Sequence, residues 1–336
     1  MTQAMITGAT GFIGSHLVEA LVEGGADVTC LHRAASDTSM LRQLSARCIQ
    51  ADVTDPAALS AAVRGVEVVF HVAGATHALR ASDYHRVNAE GTRSLLAACA
   101  AMESPPVVVV VSSIAAAGPA ATRPLVESDP ARPVSHYGRS KRAAELAAHT
   151  FADRLPITVV RPAIVFGPRD SALLSIFRPI RRFGVHLVPG WRASQVSLVH
   201  VTDLCAAMLA AAARGRRLNG AASHEPMDEG YYFVADGDQP TYNALGRRMA
   251  QAMSRRAVCV RAPLPVAWAA GLAADIVARC RRRPRMFSLD KIREAAAGNW
   301  ICSPSRAIEQ LGWSCGKSLD ARLGETAAWY RANGWL

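Results

Sequence analysis

The sequence has almost no lysine. Of 38 basic residues only Lys141, Lys291 and Lys317 are lysines, which leaves 35 arginines against 27 acidic residues. The net charge of +11 raises nucleic-acid binding as a first idea. The arginines, however, are spread along an alanine-rich chain, with one dense cluster at Arg279, Arg281, Arg282, Arg283 and Arg285. That cluster has no interleaved aromatics and no zinc-finger spacing beside it, so no nucleic-acid partner is expected. CxxC pairs are missing too. The eight cysteines (30, 48, 99, 205, 259, 280, 302 and 315) stand apart from one another, mostly in apolar segments. Such spacing describes reduced thiols in a cytoplasmic protein, and no metal is expected. Long hydrophobic runs are also lacking. The longest, Ala262–Ala278, contains Pro263, Pro265 and Asp275, and it falls short of the ~20 residues of a spanning helix. A first strand starting at Ala4 leaves no room for a secretory leader.

What remains is the composition of an ordinary folded protein: 336 residues, half of them hydrophobic and 19% charged. Short β-branched runs alternate with alanine-rich helical stretches, which predicts a parallel sheet covered on both faces. The strands are expected at Ala4–Thr7, Asp27–His32, Arg47–Gln50, Val66–His71, Val107–Ser112 and Ile157–Arg161, with a further one near Tyr231–Val234. Helices are expected at Ser15–Glu23, Ala57–Val63, Glu90–Ala101 and Tyr137–Arg154. Five consecutive valines, Val107–Val111, show no alternation and predict a central strand buried on both faces. The expected architecture is a Rossmann-type doubly wound α/β sheet in residues 1–167, completed by about 196–235. A smaller, mostly helical substrate-binding region would comprise 168–195 and 236–336.

The first strand runs into Gly8-Ala9-Thr10-Gly11-Phe12-Ile13-Gly14 and then a helix. In that position the glycines permit a tight turn and bring backbone N–H groups close to a pyrophosphate, and the helix N-terminus adds partial positive charge. The second strand ends Leu31-His32-Arg33 without the carboxylate that holds the ribose of NAD. Arg33 can pair instead with a 2′-phosphate, which favours NADP(H) and leaves NAD(H) as the other candidate. Asp52 and Val53, after the third strand, are placed for adenine. Ala73 and Gly74, after the fourth, leave room for the middle of the dinucleotide.

Tyr137-Gly138-Arg139-Ser140-Lys141 sets a phenol and an ammonium four residues apart, one turn along a helix face. The ammonium is expected to lower the tyrosine pKa and make it a general acid or base. Ser112-Ser113 emerge from the valine strand, at the end where doubly wound folds bind ligands. A hydroxyl there can donate to a carbonyl oxygen as charge develops on it.

Together these marks resemble the extended short-chain dehydrogenases/reductases, the superfamily of sugar epimerases, 3β-hydroxysteroid dehydrogenases and dihydroflavonol reductases. They are TGATGFIG (7–14), ADVTD (51–55), HVAG (71–74), VNAEGT (87–92), SS (112–113), YGRSK (137–141), RPAIVFGP (161–168) and LVHVTDL (198–204), and they cover nearly the whole chain. The resemblance implies hydride transfer between nicotinamide C4 and a carbinol or carbonyl carbon. Tyr137 would exchange the proton, Lys141 would hold the ribose and tune Tyr137, and Ser113 would polarise the carbonyl. Ser113 is chosen over Ser112 because the family's hydroxyl lies five residues before a loop glycine, here Gly118. Pro162 and Val165 would contact the nicotinamide end. Asn88, Thr92, His200 and Asp203 match positions that are structural in the family, and His71 and His136 receive no chemistry.

Within the family, the acids of the sugar-nucleotide dehydratases are replaced by Ile114-Ala115, which excludes dehydration. The valine-tyrosine-glycine usual in epimerases is Ala116-Ala117-Gly118 here. The segments SSIAAAGP and PVSHYGRSK most resemble bacterial 3β-hydroxysteroid-dehydrogenase-like and dihydroflavonol-reductase-like members. The expected substrate is a bulky, mostly apolar ketone or alcohol such as a 3-oxo lipid, a sphingoid or ceramide precursor, or a steroid-like molecule. Nucleotide-sugar epimerase is the alternative, and a non-catalytic NADP-sensing regulator is a third reading that the Tyr/Lys pair opposes. The apolar stretch at 265–285, ending in arginines, either closes the substrate region or contacts a membrane surface peripherally. A homodimer is common in the superfamily.

Overall fold

The computed structural model describes residues 2–190, 193–220, 228–285 and 287–336. Six strands come in the first half: β1 (Gln3–Thr7), β2 (Asp27–His32), β3 (Arg47–Gln50), β4 (Val68–His71), β5 (Val107–Val111) and β6 (Ile157–Pro162). Five follow: β7 (Ile164–Phe166), β8 (Val185–Pro189), β9 (Leu198–His200), β10 (Tyr231–Val234) and β11 (Val258–Ala262). One parallel sheet takes seven of them in the order β10–β6–β5–β4–β1–β2–β3. The direction of winding reverses between β1 and β4, and a doubly wound sheet opens a crevice at the carboxyl ends of its strands there.

The valine strand shows why this sheet forms. Val109 and Val111 pack into one apolar cluster with Ile6, Leu17 and Leu204. Val108 and Val110 face the opposite cluster with Met5, Leu95 and Phe151. Successive side chains point to opposite faces, and here both faces are core. Each fully buried valine contributes roughly 1.5–3 kcal/mol of burial free energy. Of the region 196–235 expected to complete the sheet, 221–227 lie outside the described residues, and β10 pairs with β6 at the sheet edge.

Several boundaries differ from the sequence expectation. The helix expected to reach Arg154 spans His136–His149, after which turns carry the chain to Pro156. The helix expected from Glu90 starts at Gly91, behind a π-helical turn at Arg86–Glu90. A pair β8–β11 and a pair β7–β9 lie outside the main sheet. The second half is otherwise helical, with helices at Ser171–Phe183, Val201–Arg214, Tyr242–Ala252, Leu264–Cys280, Leu289–Ala296, Ser305–Leu311 and Leu319–Ala332. No helix among the described residues is long and apolar enough to cross a membrane.

Candidate functional site

The glycine loop after β1 packs so closely against the chain leaving β4 and against itself that only glycine fits at two positions. Gly8 has φ +74°, and a Cβ on it would lie 2.7 Å from the Ala73 nitrogen. A Cβ on Gly14 would collide with the Gly8 carbonyl oxygen. Gly11 begins the helix Phe12–Glu23 with no side chain over its N-terminus. Its first N–H groups therefore open onto a cleft of about 850 Å³. Uncovered backbone donors at a helix N-terminus form a cradle that suits a pyrophosphate.

The cleft runs along the carboxyl edge of the sheet. Its lining contains Gly8, Thr10, Gly11, Phe12, Ile13, Gly14, Arg33, Asp52, Val53, Ala73, Gly74, Ser113, Tyr137, Pro162 and Val165. These residues come from the strand ends, β7 and the helices Phe12–Glu23 and His136–His149 and span 158 positions of sequence, yet all border the one cleft. Arg33 is exposed at the end of β2. Asp52 accepts from the Thr54 N–H at 2.9 Å and the Thr54 hydroxyl at 2.7 Å, which fixes its carboxylate.

Lys141 is the expected site residue that does not reach the cleft wall. It is buried, and its Nζ donates to the Val111 carbonyl oxygen at 2.6 Å. A Cβ on Gly74 would lie 3.5 Å from that Nζ, so the ammonium stands directly behind Gly74. Burial brings it down to about 8, with the Glu145 carboxylate pulling the other way.

Tyr137 corrects one expectation. Its phenol lies above its ordinary pKa, pushed up by burial, while a hydrogen bond with the Ser113 hydroxyl pulls it down. The Lys141 ammonium, expected to join the positive nicotinamide ring in lowering that pKa, donates here to the Val111 carbonyl oxygen.

The two serines after β5 face different partners. Ser112 donates to Glu145 Oε1 at 2.6 Å. The same buried carboxylate accepts from Arg161 Nε at 2.8 Å and a second Arg161 nitrogen at 2.7 Å, and from Arg142 at 3.1 Å. Burial raises the Glu145 pKa, but Arg161 and these bonds together hold it below the usual carboxylate range. Ser113 instead bonds Tyr137, accepts from the Ala115 N–H at 3.1 Å and borders the cleft. The two hydroxyls are thereby divided between framework and cleft.

The residues read as structural are built into the surroundings. Asn88, in the π-helical turn, accepts from the Ala75 N–H at 2.7 Å and donates to Ser140 Oγ at 2.8 Å. His71 is clamped between the Thr7 and Thr92 hydroxyls at 2.8 and 2.9 Å, and burial lowers it to about 3. His200 accepts from the Thr202 N–H, and Asp203 holds Arg322 through two oxygens at 2.9 and 2.6 Å. His136 is partly buried and does not line the cleft.

Sequence reasoning missed the helix Leu289–Ala296, which closes the other side of Tyr137. Asp290 accepts from the His136 and Tyr137 N–H groups at 2.8 and 3.1 Å, capping the helix that carries Tyr137. Glu294 accepts from the Ser135 hydroxyl at 2.7 Å and pairs with Lys291 at 2.8 Å. Lys291 Nζ lies 5.0 Å from the Tyr137 ring centre, within cation–π range. Lys291, Glu294, Ala295 and Trp300 all line the cleft. The one available signal was that Lys291 is one of three lysines.

The arrangement can hold a dinucleotide along the sheet edge and present a phenol and a hydroxyl to a carbonyl group. Known proteins agree with it. Residues 4–221 match the model of the NAD dependent epimerase/dehydratase family. The chain is 33% identical to ceramide reductase of Caulobacter vibrioides over 98% of its own length and 95% of that protein's. It is 32% identical to the 4-hydroxy-2-methyl-3-oxo-4-farnesyl-3,4-dihydroquinoline-1-oxide ketoreductase of Stigmatella aurantiaca, over 70% of this chain and 68% of that one. Its fold superposes on UDP-glucose 4-epimerase of Thermotoga maritima with a TM-score of 0.76, at 22% identity and 99% coverage of both chains. The chain therefore belongs to the NAD-dependent epimerase/dehydratase family of extended short-chain dehydrogenases/reductases, NAD(P)-dependent enzymes that act on CH–OH or ketone groups.

Proposed function

We propose that this chain is an NADP(H)-dependent ketoreductase for a bulky, mostly apolar substrate such as a 3-oxo lipid, a sphingoid or ceramide precursor or a steroid-like molecule. In reverse it would oxidise the matching secondary alcohol. The observation that carries the reading is the lining of the cleft beyond Tyr137. Its large side chains are mostly apolar, Ile164, Ile176, Val188, Val196, Tyr242 and Trp300, beside smaller polar ones such as Ser175 and Ser194 and the acid Asp170. In a chain with 35 arginines, Arg33 is the sole arginine of the cleft lining among the described residues, and it stands at the dinucleotide end. A nucleotide-sugar diphosphate needs cations for its phosphates, and the nearby Lys291 is already paired with Glu294. Kinship with a ceramide reductase and a ketoreductase supports the same choice.

The residues suit the dinucleotide. The glycine cradle would take the pyrophosphate, and Arg33 would pair with a 2′-phosphate, which is the ground for preferring NADP(H) over NAD(H). Bound, the cofactor supplies a hydride to the carbonyl carbon. Ser113 donates a hydrogen bond to the carbonyl oxygen, and Tyr137 gives its phenolic proton to that oxygen as negative charge develops there. Lys141 keeps a positive charge behind Gly74; it would hold the ribose hydroxyls once its ammonium leaves the Val111 carbonyl oxygen. Solvent returns the proton to Tyr137. The product is the secondary alcohol.

The test follows NADPH absorbance against long-chain 3-oxo lipids, steroid ketones and nucleotide sugars. One NADPH consumed per alcohol formed from an apolar ketone is expected. Turnover of a nucleotide sugar without net NADPH consumption would establish the epimerase reading instead.

A further inference from the structure

The helix Leu264–Cys280 is turned inside out. Its buried positions are the small residues Ala267, Gly271 and Ala278, spaced on one face and packed towards the helix Leu289–Ala296. Three of its large aliphatics point to solvent, Val266 at 59% exposed, Leu272 at 51% and Ile276 at 54%, while Leu264 and Val277 are half-buried. A helix covering a core normally shows the opposite pattern.

The neighbouring ribbon repeats the inversion. β8 and β11 pair in parallel with Leu187 opposite Val260. Leu187, Val258 and Val260 are exposed, as is Phe183 just before β8. Phe287, after the helix, is exposed too. Most of the large exposed hydrophobic side chains among the described residues lie in these two short segments, 183–187 and 258–287.

Charge gathers on the same segments. Arg181, Arg182, Arg255, Arg256, Arg261, Arg279, Arg281, Arg282, Arg283 and Arg285 are all exposed, and Asp275 is the one acid within 181–190 and 255–287. Ten positive charges against one negative nearly equal the +11 of the whole chain. Apolar side chains ringed by arginine are complementary to an anionic bilayer, whose surface attracts the guanidinium groups while the aliphatics enter the acyl boundary.

We infer that the β8–β11 ribbon and the helix Leu264–Cys280 form a docking surface for anionic lipid membranes. The surface adjoins the cleft. Val188 of β8 lines the cleft while its neighbour Leu187 points outward. The helix Leu264–Cys280 leans on the helix whose Lys291, Glu294 and Ala295 line the cleft. A bilayer held there stands beside the cleft. The inference rests on the surface alone and holds whatever the substrate is.

The test is sedimentation of the full chain with vesicles, without substrate. Binding to mixed phosphatidylcholine–phosphatidylglycerol vesicles and not to phosphatidylcholine alone is expected, with release at high salt. The triple changes Arg281→Gln/Arg282→Gln/Arg283→Gln and Val266→Ser/Leu272→Ser/Ile276→Ser should each reduce bound protein by about tenfold or more. All these positions are exposed, so the thermal midpoint should stay unchanged, which separates lost docking from lost folding. No binding to anionic vesicles, equal binding to neutral ones, or binding unaffected by both sets would overturn the inference. A dimer in solution that the aliphatic changes dissociate, with no vesicle binding, would assign the surface to a second copy instead.

Discussion

Two hydroxyls one residue apart at the end of β5, Ser112 and Ser113, are given separate roles by the proposed mechanism, one in the framework and one in the chemistry. Ser112 belongs to the buried group of Glu145, Arg161 and Arg142, and its loss leaves a buried carboxylate oxygen short of a donor. Ser112→Ala should lower stability by about 1–3 kcal/mol and leave kcat within a few-fold. Ser113→Ala should weigh on turnover instead, lowering kcat by roughly a hundredfold while costing about 0.5–2 kcal/mol for the lost cap on the Ala115 N–H. Steady-state kinetics and thermal unfolding of the pair check this, and equal effects from both would contradict the division. The proposed preference for NADP(H) rests on Arg33 by the same kind of local argument. Arg33→Asp should move the ratio of kcat/KM from NADPH towards NADH, and an unchanged ratio would remove Arg33 from the phosphate site. At this scale the sequence was informative because Ser113 and Arg33 stand just past strand ends and Tyr137 stands one helical turn from Lys141. The partner of Ser112 was not legible: Glu145 and Arg161 look like two more charges in a chain full of arginine, and only the fold buries them together.

The helix Leu289–Ala296 and the helix His136–His149 act as one element. Asp290 caps the first turn of the helix that carries Tyr137, and Ser135 links the same turn to Glu294. Asp290→Ala should cost about 1–2 kcal/mol as a lost cap and should lower kcat more than it weakens NADPH binding, because the glycine cradle lies elsewhere. Asp290→Asn, which keeps an acceptor oxygen, should restore part of both. An Asp290→Ala protein with unchanged kcat would show that the capped turn does not position Tyr137. Nothing in the sequence announced this contact, since Asp290 lies 153 residues from Tyr137 and carries no motif. The strands β7, β8, β9 and β11 were illegible for a related reason. They are three to five residues long, and in β8 and β11 outward apolar residues blur the alternation that marks a half-buried strand.

Over the whole molecule, the parallel sheet was the most legible feature, because five valines without alternation can only be a strand with core on both faces. The second half was legible as helical but not as a wall of the cleft, since a wall built from Ile176, Val188, Val196, Tyr242 and Trp300 depends on how separate elements meet. The central claim joins these levels: the sheet edge holds a dinucleotide, and Tyr137 gives a proton to a ketone held against the apolar wall. The most direct measurement is ketone reduction by Tyr137→Phe beside NADPH binding by the same protein. The account predicts turnover lowered by about a thousandfold, with the NADPH Kd within a few-fold of the parent. Turnover retained by the phenylalanine protein would contradict it.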